Sequence, residues 1–276
     1  MCELCQLYNA VKDEPSPFTD DDFNRVSNGV WIGEITKYNL PVSSYFKTAH
    51  HLTNGIHKGY GKDIAEAIFG SPDYLMLTDL TENIYVFFFF LTYQEVRAMT
   101  NILRDEKLKV NFYAFKAEAK KIFHDFNDAY LQAEYQTAIA SSRMAAEWQR
   151  IEQEKDELPM LQYQTVGDDR VRPTHRQLDN VIKPVDDVFW NTYYPPNGWR
   201  CRCMTISLMD GEETDISLIK NIDDDVPPLF KMNSGKDRIV CKENGKDRHP
   251  YFDVAKGDKS FAMVNFGLPL PQPGLL

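Results

Sequence analysis

Three residues carry the sharpest chemistry in this sequence: His175, Cys201 and Cys203. In a Cys-x-Cys at the start of a strand both sulfurs fall on one face, because strand side chains alternate with a period of two. A His from a neighbouring short helix would add an imidazole nitrogen. Sulfur and imidazole nitrogen are ligands that suit zinc, and Asp168, Asp169 or water could complete a tetrahedral set. The spacing differs from that of the common fingers. The same three residues could equally be buried free thiols beside a hydrogen-bonded histidine, and a Cys–His pair also has the ingredients of a nucleophile and its base. Cys2 and Cys5 form a CxxC with no preceding strand, which reads as incidental. With Cys241 the cysteines number five, an odd count that favours reduced thiols or metal ligands over a disulfide framework.

The residues around this trio are densely polar. Asp168, Asp169, Arg170 and Arg172 stand in one loop, and Arg200 and Arg202 interleave with the cysteines. A loop rich in proline and aromatic residues needs internal bonds to hold a shape. Asp–Arg pairs provide them, often in bidentate form, so the architectural reading precedes an acid–base role. Arg170, Arg172, Arg176, Arg200 and Arg202 also make the region locally basic. They could face phosphates, or pair with Asp168, Asp169, Asp179, Asp186 and Asp187. No P-loop, HExxH, nucleophile elbow or dinucleotide fingerprint is present.

The elements that must position these groups follow from the spacing of apolar residues. Thr19 before Asp20, Asp21 and Asp22 is a helix start. A helix after Pro41 is expected to stop at Asn54-Gly55. Asp63 should cap Ile64 to Phe69, which Gly70 ends, and Ser71-Pro72 restarts a helix. Thr78 to Lys107 reads as one long helix, apolar all round at Phe87 to Phe90 and therefore core. Asn111 to Glu157 contains neither Pro nor Gly. Phe115, Ala119, Ile122, Phe126, Ala129, Ala133, Met144, Trp148 and Ile151 form one stripe along it. It is either one helix of ~70 Å or two with a break between Tyr135 and Ala140.

Pro159 ends the helical half. Met160 to Val166 and Cys203 to Leu208 alternate as strands, with a short helix near Thr174 to Leu178 between them. The fold class is α+β: a long-helix N-terminal region over 1–157, a small mixed module over 158–209, and a charged extension over 210–276. Asp223 to Asp225 mark a loop, and Asn265 to Leu276 is expected to run as an extended tail.

Bulk composition narrows the function classes. The formal net charge is −10, unfavourable for generic DNA binding, which relies on clustered Lys and Arg. The most apolar run, Ile84 to Leu91, is shorter than the ~20 residues a membrane span needs. No charged start followed by an apolar stretch suggests a secretory signal, and no membrane partner is expected.

The ordered set Tyr163, Thr165, Asp168, Val171-Arg172, His175, Leu178-Asp179, Pro184, Phe189-Trp190, Pro195-Pro196-Asn197-Gly198-Trp199, Cys201 and Cys203 resembles the phage Mu F-like head morphogenesis family. Asn180 stands where that pattern has Gly, and Asn also tolerates a left-handed turn. The resemblance implies a minor head protein of a tailed phage or prophage. It would act in head assembly with the portal, capsid or scaffold proteins, in DNA packaging or delivery, and in contact with phage DNA. The helical region would dock on portal or scaffold. The implied location is the head interior or portal vertex of the virion, and the host cytoplasm during assembly. The resemblance implies no catalytic role for Asp168, Arg172, His175, Cys201 or Cys203; with Tyr163, Thr165, Asp179, Trp190, Pro196 and Trp199 they are motif positions, and no cofactor is expected beyond the zinc weighed above. The rival is an enzyme, or enzyme-derived module, acting on nucleotides or nucleic acid and centred on His175, Asp168 and Arg172. Convergence of these side chains on an open pocket would favour it, and a closed knot of mutual bonds would not.

Overall fold

The computed structural model describes residues 14–219 and 226–269. Cys2 and Cys5, the Asp223 to Asp225 loop and the end of the expected tail lie outside them. The fold is α+β, and the chain forms two compact units. Among the described residues one unit comprises Glu14–Asn54, Glu82–Tyr135 and the segment from His249, and the other Gly55–Thr81 and Gln136–Arg248.

The long helices are α1 (Asp20–Ile32), α2 (Val42–Tyr60), α3 (Pro72–Ile102), α4 (Phe112–His124) and α5 (Leu131–Glu154). Thr19 caps α1 in a reciprocal box with Asp22, and the helix ends on Gly33 at φ +80°. Helix α2 does not stop at Asn54-Gly55. It continues to Tyr60 because Ile56 is wholly buried, and that burial outweighs the breaking tendency of Asn-Gly. Asp63 does cap its segment, but only the turn Ile64–Glu66 forms. Pro72 opens α3 as the sequence indicates.

In the first-named unit, Phe23, Val26 and Val30 of α1 pack with Met99 of α3 and with Phe115, Ala119 and Phe123 of α4. Phe87, Phe88 and Phe89 are buried. Phe90 is half-buried against Phe252 and Phe266. Although α3 has the length and apolarity of a membrane span, its most apolar stretch is 67% buried within the protein, the pattern of a core helix. Asn265–Gly267 is a tight turn, and it plugs Phe266 against Tyr93 instead of running extended.

Of the two alternatives for Asn111 to Glu157, the one with a break between Tyr135 and Ala140 does not form, since Leu131–Glu154 is helical throughout. The irregularity falls earlier, as one wide π-type turn over Asp125–Tyr130. An extra residue in a turn rotates everything after it, so Asn127, Leu131 and Glu134 are buried in place of the expected Phe126, Ala129 and Ala133. The altered ladder is braced from outside: Ser16 donates to the Asn127 carbonyl at 2.7 Å, and the Asn127 amide donates to Glu95 at 2.6 Å.

In the other unit, Met144, Trp148 and Ile151 of α5 pack against a small sheet and its loops. Strands β1 (Met160–Gln164), β2 (Ile182–Pro184) and β3 (Met204–Leu208) form an antiparallel sheet in the order β2-β1-β3. The first strand ends at Gln164, short of Val166, because Thr165 bonds to a side chain instead of the ladder. Alternation on the central strand turns Leu161 and Tyr163 inward, both fully buried. Helix α6 (Pro173–Arg176) is a single turn opened by Pro173.

Candidate functional site

The motif residues are held by one another. The Asp168 carboxylate takes two bonds from the Arg202 guanidinium, each 2.7 Å, and a further bond from Arg170. Arg202 holds its carboxyl well below the usual carboxylate range, with Arg170 adding to the effect. Arg176 donates to the Asp168 carbonyl at 3.0 Å, and Arg172 to the Trp199 carbonyl at 2.5 Å. Asp179 serves the backbone instead of an arginine. Its Oδ1 accepts from the backbone and hydroxyl of Thr165 at 2.7 and 2.9 Å. The adjoining turn passes through Asn180 at φ +65°, the left-handed position that Asn tolerates.

Aromatic motif residues carry single polar anchors. The Tyr163 hydroxyl donates to Asn197 Oδ1 at 2.9 Å in a fully buried pair. The Trp190 indole donates to the Pro184 carbonyl at 2.9 Å, as buried Trp requires. Trp199 sets its ring edge-on to Phe230. The Pro195-Pro196 peptide is cis and both prolines are buried.

His175, from α6, meets Cys201 and Cys203, which precede β3. Its Nδ1 is 3.7 Å from Cys201 Sγ and 3.6 Å from Cys203 Sγ. All three residues are buried, and their ligand atoms lie within 4.8 Å of one another. Hydrogen bonding between the thiols lowers Cys201 and raises Cys203. The sequence therefore brings its three candidate ligands together. It does not bring a carboxylate with them: Asp168 is bound to Arg202, and neither it nor Asp169 joins the group. Cys241 is buried elsewhere and stays outside it.

The three residues of the enzyme reading each meet another group. Asp168 is occupied by Arg202, Arg172 by a backbone carbonyl and His175 by two sulfurs. Of the five arginines only Arg202 is withdrawn from solvent, its side chain 8% exposed against 56% for Arg170, while Arg172, Arg176 and Arg200 are exposed. Sequence reasoning missed Asn233. Fully buried, it donates to the Trp190 carbonyl at 3.2 Å and caps the turn at Gly235 and Lys236. An isolated Asn in a charged stretch gives no periodic signal.

Residues 94–206 match the family described as Phage Mu protein F like protein, and over that stretch the chain is similar to the Mu F-like family. Over 63 residues it is 44% identical to a protein of Escherichia phage Mu whose name is putative capsid assembly protein F, covering 23% of this chain and 14% of that protein. Over 74 residues it is 38% identical to the Mu-like prophage FluMu F protein of Haemophilus influenzae, covering 27% of this chain and 17% of that protein. The matches thus span less than a fifth of either relative. No solved structure matches the chain.

Proposed function

We propose that this protein is a minor structural component of a tailed-phage or prophage head, acting in capsid assembly at the portal. The observation that carries the reading is the 44% identity, over 63 residues, to a phage Mu protein named for capsid assembly. The bonding inside the module supports a structural role: its motif side chains bind one another and the local backbone. Bonding of this kind gives a rigid module for docking. Portal, scaffold and capsid proteins are the partners this reading assigns, with packaged DNA as a further contact.

Co-expression with the portal protein from the same phage or prophage tests the reading. The expected result is co-purification of the two chains through size exclusion, and defective heads when the gene is deleted. Failure to co-purify, together with normal heads in the deletion, would overturn it.

A further inference from the structure

We propose that His175 Nδ1, Cys201 Sγ and Cys203 Sγ form a binding site for one zinc-class divalent cation, which pins α6 to the start of β3. The inference stands on this cluster alone and does not depend on the head-assembly reading.

Distance is the first argument. A tetrahedral zinc with Zn–N of about 2.0–2.1 Å and Zn–S of about 2.3 Å sets nitrogen and sulfur about 3.6 Å apart. The two Nδ1–Sγ separations are 3.7 and 3.6 Å. Both nitrogen–sulfur separations match an edge of such a tetrahedron, and the three ligand atoms lie within 4.8 Å of one another.

Charge and satisfaction are the second. Two thiolates neutralise a divalent cation, so the loaded site carries no net charge into a buried pocket, where an unbalanced ion would be costly. On binding, the two thiol protons leave to solvent. Sulfur with imidazole selects zinc-class metals over magnesium or calcium, which prefer oxygen. Without a metal, the polar atoms of this cluster have poor partners: the buried His175 Nδ1 faces two sulfurs, at 3.7 and 3.6 Å. No carboxylate among the described residues joins the three, so the fourth position falls to a solvent molecule.

Preorganisation is the third. Arg202 lies between the two cysteines and is clamped by Asp168. Arg172, the residue before α6, is tied to the Trp199 carbonyl. These two ties hold the segment of His175 and the segment of the cysteines in register, as outer-shell partners do at metal centres.

The test uses the full chain, purified under reducing conditions, incubated with zinc sulfate, and passed into metal-free buffer. About one zinc per chain is expected by elemental analysis. The Cys241→Ser variant should keep it. Cys201→Ser and Cys203→Ser should each lower bound zinc at least tenfold. Because those two replace buried groups and could misfold, the unmodified chain is also loaded with cobalt(II). A thiolate-to-cobalt charge-transfer band with tetrahedral visible bands is expected. Bound zinc below about one tenth of an equivalent, no charge-transfer band, or equal loss in Cys241→Ser would each overturn the proposal.

Discussion

Arg202 lays its two terminal nitrogens against the two carboxylate oxygens of Asp168, each at 2.7 Å, and so fixes the residue between Cys201 and Cys203. A bidentate pair holds both position and orientation. Asp168→Ala removes the carboxylate from a guanidinium whose side chain is 8% exposed. The cost of breaking a buried pair is several kcal/mol. Asp168 is itself one-third exposed, so solvent reduces that to about 2 kcal/mol. Urea unfolding of the variant should show it. The sign with pH also follows. The Asp168 carboxyl is depressed by Arg202, so its contribution is full above the ordinary value of 3.8 and fades as pH falls below it. Parallel acid titrations of the two proteins should therefore converge at low pH.

The Tyr163 hydroxyl and Asn197 test the buried knot more narrowly. Tyr163→Phe deletes one oxygen and leaves Asn197 Oδ1 buried without its 2.9 Å donor. Leaving such an acceptor unsatisfied costs about 1–3 kcal/mol. The double variant Tyr163→Phe, Asn197→Leu should not simply add, and a double-mutant cycle by chemical denaturation measures the coupling.

Helix α2 carries a glycine at a close crossing. A Cβ on Gly59 would stand 2.2 Å from the Ile139 carbonyl oxygen and from Ser142 Oγ of α5. Helix propensity alone makes Gly59→Ala stabilising by about 1 kcal/mol. The contact reverses the sign, and a loss of about 2 kcal/mol or more is expected. Thermal unfolding decides between the two signs.

Two buried carboxyls beside the π-type turn make stability fall with alkalinity. Burial pushes Glu95 up from 4.5 to about 7, against the pull of the Asn127 donor. Burial likewise raises Glu134 to about 8, against the Tyr251 hydroxyl. The folded chain then holds protons that the unfolded chain has released. Their contribution is greatest below 4.5 and declines as pH rises through the folded values. Glu95→Gln should keep the Asn127 bond and remove much of that decline. Its advantage over the parent should grow to as much as about 3 kcal/mol between about pH 5 and pH 8. An advantage constant with pH would contradict the assignment.

Local chemistry and periodicity make part of this fold legible in the sequence. The Thr19 cap and the Ser71-Pro72 restart are short-range signals, and they form as read. His175 does meet Cys201 and Cys203, but both cysteines precede β3, so strand alternation is not what places their sulfurs. What stays hidden depends on distant contacts. Burial of Ile56 carries α2 through Asn54-Gly55. The turn at Asp125–Tyr130 is stabilised by Ser16 and Glu95, both far away in sequence. Asp179 has the look of an arginine partner and instead caps the end of β1 through Thr165.

The proposed place in a phage head is tested most directly by quantitative mass spectrometry of purified heads from the phage or induced prophage that encodes this chain. The account predicts the chain in intact heads at a low copy number per head, and its persistence through gradient purification with the portal. Its absence from heads that assemble and package normally would contradict the account.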